Sequence, residues 1–213
     1  MTLAYLRDPA AIYRASFATI RAEAGLDALP EAIRPLALRV VHACGMTDVA
    51  RALRFSADAA DCGRHALEAG APVLCDARMV ADGVQRLRLP RANAVIATTE
   101  SESAAARAKR EGTTRAAAGI GAFRESLAGA VVAIGNAPTA LFRLLEEIDA
   151  GAPRPALILA FPVGFVGAEE AKAELLRDPR GVAYVTLPGR RGGSAMAAAA
   201  VNALLGNAED DAP

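Results

Sequence analysis

The sequence predicts a three-layer α/β/α sandwich in which helices cover both faces of a mostly parallel, five-stranded sheet, with extra helices ahead of the first strand. Three observations carry this reading. Beyond residue 70, short apolar runs alternate with helix-like segments, the mark of a parallel sheet with crossover helices. Before residue 70, apolar residues recur at helical spacing. Of the 213 residues, 53% are hydrophobic, enough to bury one sizeable core.

The first third reads as helix. Ile12, Phe17 and Ile20, with Tyr13 beside them, fall at helical intervals. Ile33, Leu36, Ala37, Val40 and Val41 follow the i, i+3, i+4, i+7, i+8 pattern. Gly45 suits the end of that second helix, which puts His42 in its last turn. Segment 58–69 reads as a surface helix, with His65 solvated beside Arg64 and Glu68.

The predicted strands are Pro72–Cys75, Ala94–Thr98, Ala130–Ile134, Ala156–Phe161 and Val182–Leu187. Asp76 is expected to cap a short helix over 77–82. Segments 102–126 (broken at Gly112), 139–149, 168–177 and 194–205 read as further helices. The alanine run 195–200 is read as a closely packed helix. Five strands fit a flavodoxin-like or a Rossmann-like sheet, and both strand orders stay open. Residues 1–205 are expected to form one domain, since no linker divides them. Segment 206–213 is acidic, lacks an apolar pattern and is expected to be a disordered tail.

Charge narrows the partners. Lys+Arg and Asp+Glu each total 24, a net charge of zero. That is unlike a nucleic-acid binder and unlike a protein held electrostatically on an anionic membrane. No apolar stretch reaches the roughly 18 residues of a membrane span, and the N-terminus does not resemble a signal peptide. Cys44, Cys62 and Cys75 are odd in number and widely spaced, which fits neither a disulfide framework nor a zinc pattern. A reducing cytoplasm is the expected setting.

Parallel sheets bind ligands at the C-terminal ends of their strands, and the unusual residues fall there. The first strand runs into Asp76-Ala77-Arg78-Met79 and the third into Gly135-Asn136-Ala137-Pro138. The fourth runs into Pro162-Val163-Gly164-Phe165-Val166-Gly167 and the fifth into Gly189-Arg190-Arg191-Gly192-Gly193-Ser194. Three of these turns hold glycine and lead straight into a helix. Backbone can approach a ligand closely there, and helix N-termini offer N–H groups to anions. The bland alternative is that glycine merely allows a tight turn. No P-loop or dinucleotide fingerprint is present, so carboxylates are the favoured anions.

His42 is the best acid/base candidate, because imidazole titrates near neutral pH. A position at a helix C-terminus is expected to favour its protonated form. The competing reading is a structural histidine. Cys75 reads as a buried apolar residue. Arg115, in Thr113-Thr114-Arg115-Ala116, reads as a carboxylate ligand or a surface residue. Ser194 is read as a helix cap or a hydroxyl donor to ligand.

Several runs resemble precorrin-8X methylmutases. They are Tyr5-Leu6-Arg7-Asp8-Pro9, Ile12-Tyr13-Arg14-Ala15-Ser16-Phe17, Ile20-Arg21-Ala22-Glu23-Ala24 and Val41-His42-Ala43-Cys44-Gly45, followed by Ala71–Val80, Gly129–Leu145, Pro162–Gly167 and Gly189–Asn202. The resemblance spans residues 5 to 205 in the same order. It implies a flavodoxin-like fold and a homodimer with its active site near the interface. It implies a cofactor-free isomerase that shifts a methyl group from carbon 11 to carbon 12 of precorrin-8X, or its cobalt form, giving hydrogenobyrinate. His42 corresponds to the family's proton donor/acceptor, Ser16 to a substrate-contacting serine and Arg115 to the arginine of its Thr-Arg run. Asn136, Gly164, Gly192, Gly193 and Ser194 are the other expected substrate contacts. No cofactor or metal site is expected.

The sequence departs from the family at Gln85, where Thr is common in a ligand-facing position, and at Ala97-Thr98-Thr99, where Cys-Thr-Leu is more usual. Two other functions compete: a non-catalytic tetrapyrrole carrier on the same scaffold, and an unrelated phosphate- or nucleotide-binding α/β enzyme.

Overall fold

The computed structural model of the chain describes residues 3–206. Apart from Gly206, the expected tail lies outside the described residues.

The chain opens with helices α1 (Pro9–Glu23), α2 (Arg34–Cys44) and α3 (Val49–Ala52). Asp8 starts α1 by accepting hydrogen bonds from the backbone N–H groups of Ala10 and Ala11, each at 3.2 Å. Pro9 takes the first helical position, where no N–H is needed. Gly45 ends α2 in the left-handed conformation (φ 69°), and its N–H donates to the Val41 carbonyl. His42 therefore lies in the last turn of α2, as the spacing predicts.

A two-residue strand, β1 (Arg54–Phe55), precedes α4 (Ala59–Glu68), β2 (Val73–Cys75) and α5 (Arg78–Gly83). Then come β3 (Val95–Ala97), α6 (Glu102–Glu111), α7 (Arg115–Ala122), β4 (Val131–Ile134) and α8 (Pro138–Asp149). The chain continues through β5 (Leu157–Ala160), α9 (Ala168–Arg177), β6 (Ala183–Thr186) and α10 (Ser194–Ala203). Segment 102–126 is broken at Gly112, as expected.

The sheet has six strands in the order β1-β6-β5-β4-β2-β3. Every pair is parallel except β1 with β6. The five predicted strands are present. The sixth, β1, escaped prediction because two residues carry no alternation. Counted in order of appearance, the five parallel strands run 2-1-3-4-5, the flavodoxin order, which decides between the two sheets left open by the sequence. The order reverses between β2 and β4.

Alternation along each strand builds two cores. Val73, Cys75, Val131, Ala133, Leu157 and Leu159 face a cluster closed by α1, α2, α3, α4, α5 and α10. Leu74, Val132, Ile134, Ile158 and Ala160 face the other, closed by α7, α8 and α9. The alanine-rich helix lies close on the sheet: a Cβ on Gly135 would stand 2.7 Å from Ser194 Cα. Small residues on both partners permit that approach.

Candidate active site

The strand-order reversal places the ends of β2 and β4 side by side, and Asp76 spans them. It is fully buried. Its Oδ1 accepts the Gly135 N–H at 2.9 Å, and its Oδ2 accepts the N–H groups of Asn136 and Ala137 at 3.0 and 2.6 Å. Burial pushes its pKa up, against the pull of those three donors. Asp76 is thus not the helix cap that its position predicts. Ala77 occupies the cap position of α5, with no side-chain bond. The carboxylate turns inward because the orphan N–H groups of the β4–α8 turn need a buried acceptor. The turn leaves the Asn136 side chain exposed.

The turns after β5 and β6 are tied together. The Gly193 N–H donates to the Phe161 carbonyl at 2.8 Å, and the Gly164 N–H to the Arg190 carbonyl at 3.1 Å. Gly192 packs so closely that a Cβ would lie 2.2 Å from the Phe161 carbonyl oxygen. The buried Lys172 Nζ donates to the Arg191 carbonyl at 2.7 Å. Helices α8, α9 and α10 all begin along this edge, and none is closed by a side-chain cap. Ser194 is the first residue of α10 and does not cap it; Gly193 holds the cap position. Arg191 pairs with Asp48 at 2.5 Å, and the Arg190 guanidinium lies over the Phe165 ring, 5.6 Å from its centre.

The Arg191–Asp48 pair fastens this edge to the segment that follows α2, whose last turn carries His42. Tyr13, Ser16 and Phe17 stand at i, i+3 and i+4 on one face of α1, the spacing that brings side chains together. All three meet His42. Ser16 Oγ lies 2.9 Å from His42 Nδ1, and the rings of Tyr13 and Phe17 stand 5.2 and 5.3 Å from the imidazole. Burial, and then the charge of Arg39 one turn earlier on α2, lower the pKa of His42. The direction is opposite to that expected from the helix end, because desolvation and a like charge both disfavour the imidazolium. Cys75 is fully buried, with its thiol pushed up to about 12, while His65 is exposed on α4.

The remaining candidates lie farther out. Arg115 opens α7 on the opposite layer and donates to the Thr99 carbonyl at 2.8 Å. Thr114 caps the same helix, and its hydroxyl meets that of Thr139 on α8 at 2.7 Å. Gln85 is fixed through its backbone: its N–H donates to Asn202 Oδ1 at 2.9 Å, while its side chain accepts from Arg88. Among the described residues, no hydrogen bond links Arg115 or Gln85 to His42. Sequence reasoning missed the contacts that Tyr13 makes with His42, Lys172 with the Arg191 carbonyl and Asn202 with Gln85. The helical spacing of Tyr13 was a usable signal, whereas the other two become visible only in three dimensions.

Among the described residues, no group of three or more His, Cys, Asp or Glu side chains is placed to hold a metal ion. Nor is any helix among them long and apolar enough to cross a membrane.

Residues 11–207 match the family model described as precorrin-8X methylmutase. The chain is 64% identical over 200 residues to a precorrin-8X methylmutase of Pseudomonas aeruginosa, covering 94% of this chain and 96% of that one. It is 36% identical to a cobalt-precorrin-8 methylmutase of Priestia megaterium, covering 92% and 87%. The fold superposes on a crystal structure of the precorrin-8X methylmutase of Thermus thermophilus with a TM-score of 0.85 and 40% identity, covering 95% of this chain and 97% of that one. Fold, matched residues and relatives agree, and the chain belongs to the precorrin-8X methylmutase family.

Proposed function

We propose that this isomerase moves a methyl group from carbon 11 to carbon 12 of precorrin-8X, or of its cobalt form, in cobalamin biosynthesis, with His42 lending and recovering the proton. The reaction is internal. One carbon–carbon bond breaks, another forms, and no external oxidant or reductant is needed.

The observation that carries the proton role is the Ser16–His42 contact. In the imidazolium form, Nδ1–H donates to Ser16 Oγ and Nε2–H is left for the substrate. Protonating the conjugated system at a ring nitrogen or carbon weakens the conjugation that resists migration. The neutral ring then keeps its Nδ1–H on Ser16, and Nε2 is the acceptor that takes the proton back. A lowered pKa makes the imidazolium a stronger acid, though a scarcer one at neutral pH.

The strand-end turns suit the acetate and propionate arms of such a substrate. The uncapped N-termini of α9 and α10, at Ala168 and Ser194, offer N–H groups to carboxylates. Asn136, Gly164, Gly192, Gly193 and Ser194 line that edge, with Arg115 and Gln85 as outer contacts.

We infer a homodimer whose interface borders the site. A flat macrocycle needs walls on both faces, and one strand edge supplies only one. Phe165 and Val166 support this: they are 85% and 87% exposed on the turn that holds Gly164. A fully active monomer in sedimentation would remove this part of the reading.

The test of the whole is incubation of the purified protein with precorrin-8X, followed by absorbance. Turnover to hydrogenobyrinate supports the enzyme. Binding of the pigment without turnover supports a carrier instead.

A further inference from the structure

Lys172 is the one lysine buried in the core of the described chain, with no exposed surface. Burial lowers its pKa to about 8, and only Glu169, on the same helix, acts to hold its charge. A buried amine costs stability unless its donors are used. One of them is used: Nζ donates to the Arg191 carbonyl at 2.7 Å, joining α9 to the turn before α10.

That bond has a geometric consequence. No peptide bond among the described residues is cis. In a trans peptide the C=O and N–H of one unit point in opposite directions. With the Arg191 carbonyl drawn to Lys172, the N–H of Gly192 points away from α9. Among the described residues this N–H has no hydrogen-bond acceptor, whereas the next one, of Gly193, is spent on the Phe161 carbonyl. Gly192 also sits too close to the Phe161 and Pro162 carbonyls for any side chain. The Gly192 N–H is therefore a free backbone donor seated on this turn, beside the uncapped start of α10.

We propose that Lys172 is a positioning residue for substrate binding: its hold on the Arg191 carbonyl turns the Gly192 N–H toward a carboxylate arm of the substrate. The proposal rests on the reading that turn 189–194 receives those arms. The plain alternative is that Lys172 only staples the turn, with no effect on ligand.

The experiment is a titration of 15N-labelled protein with hydrogenobyrinate, read at the Gly192 amide, with kinetics run in parallel. In the wild-type protein, the Gly192 signal should move downfield and its hydrogen exchange should slow as ligand saturates. Lys172→Met removes a buried amine while keeping its length, a change that is often tolerated. In this variant, Kd and KM should rise about tenfold with kcat within about twofold, and the Gly192 response should be lost. Lys172→Arg keeps a donor and should recover most of the affinity. A silent Gly192 amide in the wild-type protein overturns the carboxylate reading of the turn and this proposal with it. A normal response and unchanged Kd in folded Lys172→Met overturn the proposal alone. If Lys172→Met does not fold, exchange in the wild-type protein decides. Fast exchange when free and slow exchange when bound supports the proposal; protection already present in the free protein overturns it.

Discussion

Ser16 Oγ lies 2.9 Å from His42 Nδ1, a contact between the first two helices that joins residues 26 apart in the chain. It engages one ring nitrogen, and in the proposed reaction the other faces the substrate. Ser16→Ala removes this hold while changing little volume. The expected result is a fall in kcat of about tenfold, the scale of one neutral hydrogen bond. KM should change less. Steady-state kinetics on precorrin-8X check it.

The pH dependence follows from the lowered pKa of His42, caused first by burial and then by the charge of Arg39. Only the imidazolium can donate, so kcat should climb by about tenfold per unit as pH falls, and level off below the usual histidine value of about 6.5. Stability runs the other way. The unfolded imidazole binds protons more readily than the folded one. The contribution to stability is thus complete above about 6.5 and is lost as pH falls through the folded value. A rate profile that levels off above 7 would contradict this account of the group.

Asp76 is the stability test. Its two oxygens accept three backbone N–H groups in a fully buried place. Asp76→Asn turns an amide NH2 against at least one of those donors. A loss of about 2–4 kcal/mol is expected, within the cost of an unsatisfied buried group plus lost charge-assisted bonds. Urea unfolding measures it. Stability equal to the wild type would mean that the β4–α8 turn is held by other means.

Much of this was legible in the sequence. Val73–Cys75 and Val131–Ile134 are continuous apolar runs bounded by turns, and both became strands. Gly45 marked the end of α2, and so the place of His42. Other features depend on contacts between distant segments. Arg54-Phe55 becomes a strand only because β6 offers it an edge. Asp76 looks like a helix cap along the chain, yet the β4–α8 turn, some 60 residues later, claims its oxygens. Nothing along the chain singles out Lys172, whose burial and bond arise only when α9 is laid beside the turn at Arg191. The lowered pKa of His42 likewise needed the packing of α1 against α2.

Arg115 tests the outer part of the site. Its guanidinium spends one N–H group on the Thr99 carbonyl and has others to offer. Arg115→Ala should weaken the binding of hydrogenobyrinate by about tenfold or more, the effect of losing one charge-assisted bond. Absorbance titration reads it directly. An unchanged affinity would make Arg115 a residue that only fastens α7 to the end of β3.

The most direct test of the central claim is single-turnover conversion of precorrin-8X by wild-type protein and by His42→Ala, followed by absorbance. His42 is partly exposed at the end of α2, with its ring packed on one side against Tyr13 and Phe17, so its truncation should leave the circular dichroism spectrum and the unfolding midpoint nearly unchanged at neutral pH. The predicted result is a folded variant that still binds the pigment and converts it about 100- to 10,000-fold more slowly, the range of general acid catalysis. Conversion within a few-fold of the wild type would show that the proton moves through another group and that His42 is a structural residue.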